Sequence, residues 1–147
     1  MMAMSLLEQL SRVRVSSVLN NDVKQFGKKF LIDGNEETCW NSDQAQAGSG
    51  QWISLEFREP VLLEEIHLTF QGGFVGKTCQ IHAVIGQEDA TSYSKILDFF
   101  PKDDNSRQIF QIPNDGNKVT RVKIVFMESS DFYGRITVYS LDVTGKT

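Results

Sequence analysis

The chain is poor in the residues that build metal and redox sites: it has two cysteines, Cys39 and Cys79, and two histidines, His67 and His82. A zinc site wants three or four such ligands at close spacing, and no such group exists in the sequence. The two cysteines lie far apart and read as buried free thiols of a reducing compartment rather than as a disulfide. No apolar run approaches the length of a membrane span, so no membrane span is expected. The opening residues MMAMSLLEQLSRVRV lack the long apolar stretch of a signal peptide, and the expectation is a soluble intracellular protein that is not secreted. No basic run exceeds Lys28-Lys29, and the net charge is -4 with a pI near 5.1. A nonspecific nucleic-acid binder needs a basic face to neutralise phosphates, so no direct nucleic-acid binding is expected.

Catalytic groupings are also missing. A nucleophile needs a base within reach and usually a third group to orient it. Neither histidine lies in a loop rich in Ser, Cys or Asp; both sit on strand patterns, and His67 on a polar strand face is expected to be solvent-exposed. The adjacent carboxylates Glu36-Glu37, Glu64-Glu65 and Asp103-Asp104 read as solvated charge. The glycines of FQGGFVG (70–76) do not make a phosphate loop, because no helix signal follows and no GK[ST] completes it. The chain is read as non-enzymatic, with no cofactor required.

What is present is a period of two. Phenylalanine is the surplus aromatic, with ten copies, and aromatic and β-branched residues favour strands. In WISLEF (52–57) Ile53, Leu55 and Phe57 alternate with Trp52, Ser54 and Glu56. Ile66, Leu68 and Phe70 share a face in 64–71. In 79–85 the set is Cys79, Ile81, Ala83 and Ile85, and in 120–126 it is Val122, Ile124 and Phe126. Segment 135–143 alternates through Ile136 and Val138, then continues through Leu141 and Val143. Such strands have one face in the core and the other toward solvent or a neighbour. Turn residues separate them: Asp33-Gly34-Asn35, Gly48-Ser49-Gly50, Gly72-Gly73 and Asn114-Asp115-Gly116-Asn117. Roughly six to eight strands with no strong internal helix read as an all-β sandwich or barrel. Residues 1–12 are expected as a loosely ordered N-terminal extension, and 13–147 as a single domain.

The most informative stretch is KKFLIDGNEETCWNSD, residues 28–43. Asp, Asn and Thr oxygens gathered in a tight loop are what a hard cation such as calcium takes. The same residues also read as a capped turn, with Asp33 and Asn35 bonding local backbone and Trp40 as a core anchor. The pattern Asp33-Gly34, Glu37-Thr38, Trp40 and Ser42, followed by a W-I-x-L-x-F strand and a closing YSLDVTG (139–145), resembles the discoidin domains. These are also called coagulation factor V/VIII type C domains, within the galactose-binding-like fold, and the likeness runs from about Val15 to Gly145. It implies a jelly-roll β-sandwich of the discoidin type. Many members of the wider fold hold a structural calcium in this loop. Carried over by position, Asp33 and Thr38 would give side-chain oxygens, and Phe30, Asn35 and Tyr139 backbone carbonyls. The family's acid on the last strand falls at Ser140, which removes a charge and weakens the site.

Ligand-binding relatives hold their ligand with loops at one end of the sandwich, here Trp40–Gly50, Gln71–Lys77 and Ser129–Arg135. These offer Phe74, Phe132 and Tyr133 as aromatics, with Gln71 and Arg135 as polar partners. Aromatic plus Arg is hot-spot chemistry for a protein partner; the same set could stack on a sugar or enter a lipid surface, and Phe132 or Tyr133 could instead tuck into the core. Four blocks in order, 25–44, FQGGF (70–74), ILDFFP (96–101) and DFYGR (131–135), are similar to a family of nuclear-receptor-associated proteins. That resemblance implies an orphan nuclear receptor as partner, location in the nucleus and possible presence in the cytoplasm, and suppression of the receptor's binding to its DNA response element. The expectation is a monomeric protein-binding module, with a carbohydrate- or lipid-binding module as the alternative.

Overall fold

The computed structural model describes residues 4–45, 50–86 and 91–147. Its strands follow the alternation of the sequence. They are β1 (Met4–Ser5), β2 (Leu10–Val15), β3 (Trp40–Asn41), β4 (Gln51–Phe70), β5 (Gly76–Ile85), β6 (Ser94–Phe99), β7 (Arg107–Gln111), β8 (Val119–Ser129) and β9 (Thr137–Lys146). A 3-10 turn at Leu7–Gln9 joins β1 to β2, and a short helix, α1 (Val23–Phe26), with 3-10 turns at Leu19–Asn21 and Lys28–Leu31 lies in the long stretch between β2 and β3. Every strand pairing is antiparallel. Among the described residues no helix is long and apolar enough to cross a membrane.

Two sheets are joined by the long strand β4. Its first half pairs with β2 and β8, and β5 and β6 extend that sheet beyond β8. Its second half pairs with β7 and β9, and β9 in turn carries β1 and β3. The crossing falls at Arg58-Glu59-Pro60, where the pairing with β8 is interrupted. Proline cannot donate to a ladder and is tolerated at such a break. Ile53, Leu55, Leu63, Ile66, Leu68 and Phe70 of β4 meet Val122, Ile124 and Phe126 of β8 and Val138, Leu141 and Val143 of β9 in one core. Trp40 is fully buried there; its ring lies 6.3 Å from that of Phe126, which in turn meets Phe70 edge-on at 5.8 Å. The indole Nε1 donates to the Ser17 carbonyl at 2.9 Å, so the one polar atom of this anchor is satisfied. The all-β sandwich expected from the alternation is the fold.

Four expectations change. Residues 4–12 are not a loose extension. Met4 and Ser5 pair with Gly145 and Thr144, Leu10 and Arg12 pair with Phe57 and Glu56, and Leu6 is only 2 % exposed. Leu6 plugs the core and Leu10 starts the edge strand β2; residues 1–3 lie outside the described residues. Ile85 does not join the inner face of β5. The register against β8 shifts between Val84 and Ile85, which buries Val84 and leaves Ile85 42 % exposed. His67 is not free in solvent. Its side chain is 12 % exposed, between Glu65 and Arg107. Arg107 donates to Nδ1 at 3.1 Å from Nε, so Nδ1 accepts and Nε2 carries the proton toward Glu65 Oε1 at 3.0 Å. Lastly, both cysteines are free, but only Cys79 is buried; Cys39 is half-buried. Burial pushes both thiols up, which keeps them protonated and poorly nucleophilic.

Candidate functional site

The loops at the β3–β4, β4–β5 and β8–β9 junctions meet at one end of the sandwich. Gln71 donates from its backbone to Thr137, and Thr137 donates back to Phe74, so the β4–β5 turn is laced to the start of β9. The Ser130 hydroxyl accepts from Val75 N at 2.9 Å, while Ser130 N donates to the Val75 carbonyl at 2.8 Å. The β3–β4 loop joins them through Ala45 N, which donates to Tyr133 O at 3.0 Å. Its remainder, residues 46–49, lies outside the described residues, and the Gly48-Ser49-Gly50 turn falls partly there. Gly134 adopts φ +76°, and a side chain there would collide with Ala45, its Cβ approaching to 2.8 Å. Glycine is the residue this turn requires.

Asp131 locks the β8–β9 loop. Its Oδ2 accepts from Arg135 Nε at 2.9 Å and from the backbone N of Tyr133 and Arg135 at 3.1 Å each, and its Oδ1 accepts from Arg135 Nη2 at 3.1 Å. The Arg135 side chain, followed by its backbone N–H, holds this carboxyl below the usual range, and the pairing raises the guanidinium in return. With its edge so engaged, Arg135 lays its flat face 5.1 Å from the Phe74 ring centre and 5.7 Å from that of Tyr133. Such cation–π contacts hold the rings in place. Phe132 stands edge-on to Tyr133 at 5.2 Å.

The structure therefore brings Phe74, Phe132, Tyr133 and Arg135 together, and decides where the aromatics point. Phe132 is 92 % exposed and Tyr133 53 %, so neither tucks into the core. Gln71 joins them through its backbone. Asp131, the residue that organises the cluster, is the one the sequence reading missed; its signal is the D-x-x-x-R spacing across a glycine turn.

The candidate cation loop is closed by its own hydrogen bonds. Asp33 Oδ1 accepts from Asn35 N at 3.0 Å, and Oδ2 accepts from the Thr38 hydroxyl at 2.6 Å. Asn35 Oδ1 accepts from Glu37 N, and Thr38 N donates to the Asn35 carbonyl. Each Asp33 oxygen thus accepts one hydrogen bond from the turn itself. Tyr139 sits in a bulge, since Thr69 pairs with Ser140 and Phe70 with Val138, and Ser140 donates to the Thr69 hydroxyl at 3.3 Å where an acid would be needed. Among the described residues no three His, Cys, Asp or Glu side chains gather in a group that could hold a metal ion through such ligands alone. Asp33, Asn35 and Thr38 form a capped turn with a single carboxylate, while Phe30 lies in the preceding 3-10 turn and Tyr139 on β9.

The F5/8 type C domain model matches residues 13–140. The nuclear receptor 2C2-associated protein of Danio rerio is 53% identical over 145 residues, covering 99% of this chain and 98% of its own. Among solved structures, the F5/8 type C domain of a Bacteroides fragilis protein superposes with a TM-score of 0.78 at 19% identity, covering 99% of this chain and 96% of that one. The family 32 CBM from C. perfringens NanJ, solved in complex with galactose, superposes with a TM-score of 0.75 at 16% identity, covering 97% and 99%. Identities this low speak to the fold alone, whereas the family model and the near-full-length relative speak to descent. The chain belongs to the F5/8 type C domain family and, within it, to the nuclear receptor 2C2-associated proteins.

Proposed function

We propose that the chain is a non-enzymatic protein-binding module that associates with an orphan nuclear receptor in the nucleus and lowers the receptor's occupancy of its DNA response element. The observation that carries this reading is the 53% identity, over nearly the whole of both chains, to a relative named for association with a nuclear receptor. The loop end supplies suitable chemistry. Phe132 and Tyr133 stand in solvent on a loop locked by Asp131 and Arg135, and rigid aromatic anchors beside Arg lose little entropy when a partner covers them. Repression needs no catalysis: a module seated on the receptor's DNA-reading surface excludes DNA by occupancy.

The test is a pull-down of purified receptor by the chain, paired with a gel shift of the receptor–DNA complex. The expected result is retention of the receptor and loss of the shifted complex. Phe132→Ala and Tyr133→Ala are each expected to weaken retention by about 2 kcal/mol, as hot-spot truncations do. A receptor that is not retained, or a shifted complex unchanged at saturating protein, overturns the reading. The same exposed rings are also suited to stacking on a sugar or entering a lipid surface; a glycan array and liposome pelleting decide that second reading, which blank results would remove.

A further inference from the structure

Beside the outer face of the β2–β4–β8 sheet lies a groove of about 510 Å³ that shares no residue with the loop-end cluster. Its apolar lining is Val15 at the end of β2, Val18 in the following turn, the ring of Trp52 on β4, and Val23 at the start of α1, itself 61 % exposed. Its rim is basic, formed by Arg14, Lys24, Lys28 and Lys29, all of them exposed. Among the described residues none of these four makes an ion pair. A fifth cation, Lys123, sits 4.6 Å from the centre of the Trp52 ring and is likewise unpaired there.

The positive charge continues across the sheet. Arg14 lies opposite Ser54, Ser54 opposite Lys123, Lys123 opposite His82, and His82 opposite Lys95, one transverse row over five strands. The acids of this face, Glu56 and Asp98, are already engaged by Arg121 and Lys95. Burial first, and then the charges of Lys123 and Lys95, hold His82 below its usual range. In a chain of net charge -4 this concentration of unpaired cations is local.

We propose that the groove docks an acidic segment of a protein partner, its carboxylates on the Arg14–Lys24–Lys28–Lys29 rim and an apolar side chain inserted against Trp52. Charge complementarity selects the acidic sign, since unpaired cations around a low-dielectric lining raise the local concentration of anions. The apolar lining selects a peptide, whose specificity comes from side chains seated in pockets. A groove of this volume has room for bulky apolar groups. This goes beyond the receptor reading and does not depend on it, because it rests on different residues.

The chain carries its own reporter. Of its two tryptophans, Trp40 is fully buried and Trp52 half-exposed in the groove, so a change in emission on binding reports Trp52. The probe is a synthetic peptide of Asp and Glu residues flanking Leu and Phe, titrated into the full chain at low salt. The expected result is saturable binding that weakens about tenfold in K28E/K29E and weakens again as salt is raised, while a Lys-substituted peptide does not bind. K24E, on α1 rather than the 3-10 turn, is expected to weaken binding in the same direction, with unchanged thermal melts showing that both variants fold. Tyr133→Ala should leave peptide binding intact; a parallel loss there would move the peptide to the loop end and overturn the proposal. So would equal binding to K28E/K29E, or a DNA duplex or phosphatidylserine vesicle that perturbs Trp52 where the acidic peptide does not.

Discussion

Asp131 carries more of the loop end than any aromatic does. Four donors converge on its carboxylate, and a hydrogen bond to a charged group is worth more than a neutral one. Asp131→Asn keeps the shape but loses the charge, and is expected to cost about 1–2 kcal/mol in chemical denaturation at neutral pH. Because the folded carboxyl is held below its unfolded value, its stabilisation is complete above that unfolded value and is lost as pH falls through the folded one. The gap between the native protein and Asp131→Asn should therefore close below about pH 4. A gap of equal size at neutral and acid pH would show that the charge is not what holds the loop. Trp40 makes the contrasting case of a side chain whose value is volume. Fully buried against Phe126, with Nε1 satisfied, it is expected to cost ~3–5 kcal/mol on truncation to Ala; equilibrium unfolding giving less than about 1 kcal/mol would contradict its place in the core.

At the scale of elements, what the sequence shows is face and what it hides is register. Ile53, Leu55 and Phe57, or Val122, Ile124 and Phe126, point inward as their alternation requires, because a strand's side chains have a strict period of two. Ile85 breaks that inference because a one-residue shift against β8 flips the end of β5. The same kind of slip is visible in β9, where the apolar set passes from Val138 to Leu141, and there the bulge at Tyr139 leaves its trace in the sequence itself. The N-terminus hides for a different reason. Leu6, Leu7 and Leu10 suit a helical stripe as well as a strand and a plug, and β9 and β4, farther along the chain, decide between them. A search for charged runs finds only the Lys28-Lys29 part of the basic groove, because Arg14, Lys24 and Lys123 join that pair from separate elements. In the Asp33–Thr38 loop the residue types admit a cation, but the hydrogen-bond directions turn them inward on one another. Calcium commonly takes six to eight oxygens, and a site with Kd a thousandfold below the free ion would add about 4 kcal/mol. The expected outcome is a melting temperature unchanged between millimolar calcium and a chelator; a shift of several degrees would mean that the loop opens to bind the ion.

The molecule as a whole is tied together by β4. Its twenty residues serve both sheets, so neither sheet can leave without breaking the ladders of the other. The core is likewise undivided: Leu6 from the N-terminus, Trp40, Phe70 from the end of β4 and Phe126 from β8 belong to one cluster. The contacts are also remote in sequence, since β1 closes on β9 and β2 on β4. Such contacts reward the chain only when most of the fold is in place. A structure joined in this way should unfold as one cooperative unit. The measurement is a urea titration of Trp52→Phe, which leaves Trp40 as the only indole, followed in parallel by emission and by far-ultraviolet circular dichroism. Trp40 reports the centre of the core, whereas dichroism reports all the strands. The two curves are expected to share a midpoint and a slope. An emission change that precedes the loss of strand signal would mean that the Trp40–Phe126 contact opens separately, and that the long strand does not couple the two sheets.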